Sequence, residues 1–157
     1  MKAWSNLPNA HHIDRVLESV KSHTESWDEA WVAFKDATRL AARDAASLAA
    51  LNAARDSTLD AARVAAWNEV KSAASDAARD AASLAALNAA LSATWDAAWI
   101  AITVLIAWDD ASKYLDMPSD KLRVWAILSE DPAAVLLIPA VIAFEKIAKK
   151  EKQLLTI

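Results

Sequence analysis

From Asp28 to Thr103 the chain reads in fours: DEAW, VAFK, DATR, LAAR, DAAS, LAAL, and so on through SATW, DAAW and IAIT, nineteen tetrads in unbroken phase. The middle pair is mostly Ala-Ala. The first position favours Asp, Asn or Leu, and the fourth favours Arg, Leu, Ser or Trp. Alanine is the strongest helix former because it has no side-chain entropy to lose. No proline or glycine interrupts Asn9 to Met117, so the whole stretch predicts helix. A helix turns about 100° per residue, so a stripe stepping by four drifts about 40° per tetrad and returns to its starting face after about 36 residues. The segment ARDAASLAALNAA occurs at Ala42–Ala54 and again, letter for letter, at Ala78–Ala90, 36 positions on.

One unbroken helix over the tetrads would be a rod about 114 Å long. The alternative is that 36 residues make one helix plus its turn. Ser22 to Glu25 and Ser26 to Glu29 both have the capping-box pattern, and Thr58 and Thr94 each precede an Asp by two residues. Such hydroxyls and acids suit a helix start. Positions 22, 58 and 94 are spaced by 36. The favoured reading is three long helices near 26–54, 58–90 and 94–116, turning at RDST and LSAT, with NEVKS (Asn68–Ser72) as a rival break. Duplication would then supply two equivalent helices, with Leu48, Leu51, Leu84 and Leu87 filling gaps between small alanine faces. Outside the tetrads, residues 8–20 predict a short helix with Ile13, Val16, Leu17 and Val20 on one side. Pro118 opens a helix through Leu128, and Asp131-Pro132 caps and begins the last one. Pro139 is expected to kink or split it. The fold class expected is all-α: a bundle of long Ala-rich antiparallel helices with shorter terminal helices. It forms a single domain over 1–157, divided into 1–25, 26–103 and 104–157.

Composition narrows the chemistry. The chain has no cysteine, which removes disulfides and thiolate metal sites and fits a reducing cytoplasm. It has no glycine, so phosphate loops, dinucleotide fingerprints and nucleophile elbows are excluded. A formal net charge of −4 argues against general nucleic-acid binding, which calls for a basic face. The start, MKAWSNLPNAHH, lacks the apolar core of a signal peptide. The runs Trp99–Trp108 and Ala133–Phe144 fall short of the ~20 residues that span a bilayer and are expected to be buried core helix.

The eight tryptophans stand out most. Trp27 and Trp31 are four apart, as are Trp95 and Trp99, so each pair shares a helical face. Core filling is the plainer reading, since aromatic area dominates burial. The functional reading is an aromatic hot spot for a protein partner, drawn from Trp4, Trp27, Trp31, Trp95 and Trp99, with Trp4 the one most expected to be exposed. Asp36–Arg39, Asp60–Arg63 and Asp76–Arg79 are i,i+3 pairs, expected on a solvated face and worth about 0.2–0.5 kcal/mol each. A carboxylate array imitating nucleic acid is disfavoured by seven Lys/Arg among the ten acids of residues 28–103. The three histidines, His11, His12 and His23, lie outside metal-ligand spacing, and adjacent Asp109 and Asp110 do not face one another on a helix. No catalytic, cofactor or metal residues are predicted.

The DAAR and DAAW tetrads, followed by LIAWDD at Leu105–Asp110 and DPAAVLLIPA at Asp131–Ala140, resemble a group of small alanine-rich helical proteins of phage and bacterial genomes. Most members lack an assigned function, and some carry a provisional label as immunity proteins. The resemblance covers roughly residues 28–144. It implies an accessory protein of a phage or mobile element, and it carries over no catalytic residues. The expectation is therefore a non-enzymatic cytoplasmic protein that binds a host or competitor protein, either inhibiting a host defence system or acting as an immunity protein. It would bind no membrane. The alternative is a self-associating structural protein, which leaves a homo-oligomer open.

Overall fold

The computed structural model describes residues 2–56, 61–81 and 87–155, with the side chains of 37, 54–62 and 81–92 outside that description. The elements are α1 (Ala10–Ser22), α2 (Thr24–Ala37), α3 (Leu40–Asp56), α4 (Ala61–Ala81), α5 (Leu87–Ala107), a 3-10 turn (Ala111–Asp116), α6 (Ser119–Ser129) and α7 (Pro132–Leu155). Among the described residues there is no strand, and the fold is an all-α bundle. Helix α5 is the hub, packed by α1, α2, α3, α4 and α7, and α7 in turn packs α2, α3, α6 and the 3-10 turn. Every residue from Ala101 to Ile106 in α5 and from Ala133 to Ala143 in α7, Val135 apart, is buried. No helix among the described residues is long and apolar enough to cross a membrane.

The tetrad is the core register. Its third position is buried at Ala30 and Phe34 in α2, Ala46 and Ala50 in α3, Ala66, Val70, Ala74 and Ala78 in α4, and Thr94, Ala98 and Ile102 in α5. Its first position faces outward, at Val32, Leu40, Leu48 and Val64 as well as at the polar Asp44, Asn68 and Asp76. A four-residue stripe drifts off any fixed face, so one phase serves the core only if helices are short or interrupted. Among the described residues, the third positions that leave the core, half-buried Thr38 and exposed Ala42, flank the break between α2 and α3. Thr38 is extended there (φ −126°, ψ 132°), and by Ala46 the stripe is buried again.

Several expected boundaries differ. The LSAT and NEVKS segments lie inside α5 and α4 respectively, not at turns. Thr94 is buried mid-helix with its hydroxyl 3.5 Å from the Thr24 carbonyl, so it ties α5 to the start of α2 rather than capping a helix. The break at Thr38 carries no proline or glycine, and tertiary packing imposes it. Residues 57–60, which include the end of RDST, lie outside the described residues. The first copy of the duplicated segment is interior to α3; the second includes residues 82–86, which lie outside the described residues. Leu48 is 59% exposed and fills no gap. Leu84 and Leu87 are not among the described side chains. The 94–116 helix ends at Ala107, where a 3-10 turn replaces it, and α7 continues through buried Pro139 without splitting. Helices α1 and α6 and the Asp131-Pro132 start of α7 lie where the pattern puts them, with the Asp131 carboxylate accepting the Ala133 N–H at 3.0 Å.

The end of α5 is stabilised by residues distant in sequence. Asn9 stands before α1, yet its buried amide donates to the carbonyls of Leu105 and Trp108, both at 2.9 Å. Arg63 of α4 donates to the Ile106 carbonyl and pairs with Asp109 at 2.6 Å. Terminal carbonyls of a helix lack intrahelical donors and carry the negative end of its dipole, so an amide and a guanidinium there satisfy both needs.

Candidate protein-docking surface

Helix α6, SDKLRVWAILS, carries more apolar residues than one buried stripe can hold. Ser119, Leu122 and Ala126 are buried, on the side that packs α7. The rest of the apolar set points outward: Val124 is 57% exposed, Trp125 46%, Ile127 78% and Leu128 73%. A surface helix normally puts polar residues there. Each large aliphatic side chain left in water forgoes about 1.5–3 kcal/mol of burial. A shallow groove of about 480 Å³ runs along this face, lined by Met117, Asp120, Lys121, Val124, Trp125 and Leu128.

The platform is fixed at both ends. At the start of α6, Glu145 of α7 accepts the Ser119 backbone N–H and the Ser119 hydroxyl, each at 2.6 Å, a cap supplied from a neighbouring helix. At the far end the Trp125 indole N–H donates to the Tyr114 oxygen at 3.3 Å, and the Tyr114 hydroxyl donates to Asp131. The Ser129 hydroxyl donates to the Trp125 carbonyl at 2.6 Å, and the Asp131 N–H donates to Ser129 Oγ at 3.3 Å. Glu130 closes the helix in the left-handed region at φ 54°, a conformation that costs a non-glycine residue about 1–2 kcal/mol and stops α6 abruptly. Burial, with the Asp131 hydrogen bond second, raises the Tyr114 phenol above its ordinary range, so it stays a neutral donor. Beside it the Lys113 ammonium is held in its charged form by its hydrogen bond to Asp110 at 3.2 Å. A face fixed this way has little ordering entropy left to lose on binding.

The tryptophans singled out from the sequence do not converge on one site. Trp4, expected to be the most exposed, is 3% exposed. Its indole N–H donates to Asp14 at 3.0 Å. Burial pushes the Asp14 carboxyl up, but the hydrogen bonds from Trp4 and Lys2 outweigh it and leave the group below its usual range. Trp27 is fully buried, donates to Ser19 Oγ at 2.9 Å and meets Phe144 edge-on at 5.6 Å. Trp31 is half-buried and tilts over Phe34 at 5.5 Å rather than stacking on Trp27. Trp95 and Trp99 do stack, at 5.6 Å and 11°, and Trp67 of α4 joins them edge-on at 4.5 Å from Trp99. That trio is half-buried and knits α4 to α5. The exposed tryptophan is Trp125, which sequence reasoning passed over. Its signal was legible, since VWAIL at residues 124–128 is too continuous for a one-sided helix.

The remaining polar groups are scattered. Asp76 and Arg79, an expected pair, form no ion pair among the described residues; Arg63 pairs with Asp109, and Asp60, its expected local partner, lies outside the described residues. Burial, with His11 and Arg15 adding to it, lowers the His12 imidazole below its ordinary value. Among the described residues no three His, Cys, Asp or Glu gather as metal ligands. A cleft of about 180 Å³ between α3, α5 and α7 holds the half-buried Asp96 beside Trp99 and Thr103, and burial pushes that carboxyl upward. Compared with models of protein families, with curated proteins and with solved structures, the chain finds no match.

Proposed function

We propose that this chain is a non-catalytic protein-binding protein of a phage or mobile element, acting in the cytoplasm on a host or competitor protein as an inhibitor of a defence system or as an immunity protein. The observation that carries the reading is the α6 face, where Val124, Trp125, Ile127 and Leu128 stand in solvent on a platform pinned by Glu145 and the Tyr114–Asp131 pair. Protein contacts concentrate their energy in a few rigid aromatic and aliphatic anchors ringed by polar groups. Trp125 and Leu128 beside Asp120 and Lys121 have that form. The net charge of −4 favours a protein over a nucleic acid as the occupant.

The test compares the full chain with Leu128→Glu. Proteins retained by the wild type from a host lysate are identified, and each is then purified and titrated against both chains by calorimetry. A pure binary complex that the substitution weakens by about tenfold or more supports the reading. Turnover of a nucleotide or nucleic acid by the pure chain, or a complex indifferent to Leu128→Glu, overturns it.

A further inference from the structure

We infer that the cleft between α3, α5 and α7 binds a small organic ammonium, a primary amine on a benzene-sized apolar body, with Asp96 as its counterion. The cleft shares no lining residue with the α6 groove, so the inference stands apart from the docking reading. Asp96 occupies a first tetrad position. In that phase Asp36, Asp44, Asp76 and Asp80 stand in solvent, while Asp28 and Asp96 are half-buried, and Asp96 lines this cleft. It sits with Trp99, Ile100 and Thr103 at i, i+3, i+4 and i+7, which is one face of α5. Across the cleft stand Ser47 and Leu51 of α3 and Leu136 of α7.

The polar side of the cleft offers acceptors. Among the described residues the Asp96 carboxylate receives no hydrogen bond and forms no ion pair. Burial raises its pKa, and Lys35 of α2 draws it part of the way back without pairing with it. The Thr103 hydroxyl spends its proton on the Trp99 carbonyl at 2.7 Å, so Thr103 Oγ1 has only lone pairs left to give. The Ser47 hydroxyl accepts or donates as its partner requires. An ammonium brings three donors, no acceptor and a positive charge, which complements this set. An anion would meet Asp96 with like charge. A carboxylate partly removed from water without a partner costs stability, and an asparagine of the same shape would relieve that cost. A cation entering the cleft offsets it instead, in a setting where water screens the attraction less than at an open surface.

The remainder of the cleft is apolar. Leu51, Ile100 and Leu136 wall it, and Trp99 borders it. The Trp99 ring is held by its stack on Trp95 at 5.6 Å and by Trp67 edge-on at 4.5 Å, so that wall is formed before any ligand arrives. The volume of about 180 Å³ compares with the roughly 150 Å³ of an apolar protein cavity that takes up benzene. A benzene-sized body therefore fits, and the carboxylate supplies the specificity that an apolar hole lacks.

The probe is 2-phenylethylammonium, titrated at pH 7 into the isotope-labelled full chain, with backbone amide and indole N–H signals read by NMR. One saturable transition is expected, half-complete at roughly 0.1–3 mM for a ligand of so few atoms, and centred on the Trp99 indole and the Ser47 and Thr103 amides. Asp96→Asn keeps the shape and removes the charge, and is expected to weaken binding at least about tenfold. That variant is expected to melt no lower than the wild type, so the loss reads the charge and not the fold. Neutral 2-phenylethanol is expected to bind the wild type at least about tenfold more weakly than the amine, and to bind Asp96→Asn and the wild type alike. Absence of saturation at Trp99 and Thr103 up to about 20 mM overturns the site. Binding indifferent to Asp96→Asn overturns the role of the carboxylate. The alcohol binding as tightly as the amine makes the cleft a plain apolar hole and overturns the assignment. Shifts centred on Trp125 instead of Trp99 put the amine in the α6 groove and overturn it too.

Discussion

Replacing Asn9 by Ala isolates a tertiary cap whose magnitude follows from its geometry. Asn9 is only 2% exposed, and its amide nitrogen donates to two carbonyls at 2.9 Å. A hydrogen bond contributes about 0.5–1.5 kcal/mol net, and an acceptor left buried without a donor adds a desolvation penalty. The Trp108 oxygen keeps the Ala111 N–H at 3.2 Å, so the penalty falls mainly on Leu105. The expected loss is about 2 kcal/mol. For a domain of this size that is about 4–8 °C in melting temperature. Asn9→Asp is sharper: at neutral pH it sets a carboxylate against two carbonyl oxygens at the negative end of the α5 dipole. It should be more destabilised than the alanine variant at pH 7 and recover as the pH falls and the new carboxyl protonates, because its folded-state pKa is raised. Thermal melts of the three proteins at pH 7 and pH 4, followed by helical circular dichroism, check this. An alanine variant within about 0.5 kcal/mol of wild type, or an Asp variant no worse than Ala at neutral pH, refutes the cap.

Three further outcomes are expected. Ala74→Leu, at a fully buried third position, should cost about 1–3 kcal/mol by overpacking, whereas Leu48→Ala, at an exposed first position, should stay within about 0.5 kcal/mol, both read by urea denaturation. Glu145→Ala removes the acceptor for the Ser119 N–H and hydroxyl and should cost about 1–2 kcal/mol, with faster amide exchange in the first turn of α6. Asp96→Asn should raise the melting temperature at pH 7: burial raises this carboxyl's folded-state pKa, so its charge costs stability above that pKa, and the gain over wild type should shrink as the pH falls into the carboxylate range.

The fold class and the chain ends were legible because they are punctuated. Pro118, Asp131 and Pro132 have backbone requirements that local sequence states outright. The tetrad likewise carries the core register from Ala30 to Ile102. The helix breaks inside it were not legible, because Thr38 holds an extended backbone with no glycine or proline to announce it. Its conformation answers to what α2 and α3 pack against. Asn9 and Arg63 escaped for a related reason: each spends its side chain on α5, 96 and 43 positions away in their respective bonds to Leu105 and Ile106. Trp4 was misread as exposed because its partner, Asp14, and its apolar surroundings lie outside its own local pattern.

The same division explains why the tetrads say so little about function. A repeat whose first position faces solvent and whose third faces the core is spent on packing. Its leucines at Leu40 and Leu48 are single exposed residues, of the kind any surface carries. Helix α6 lies outside the repeat and breaks the rule that governs it, exposing four large apolar side chains in five consecutive positions from 124 to 128. The side of α6 that packs α7 is already filled by Leu122 and Ala126, so packing did not call for these four. The glutamate in the left-handed region at φ 54° and the cross-helix cap from Glu145 are local costs and contacts that hold that one short helix in place. Selection for stability alone would favour polar residues at 124, 127 and 128. Their absence is the physical ground for the proposal that α6, rather than the repeat that dominates the sequence, is the docking face.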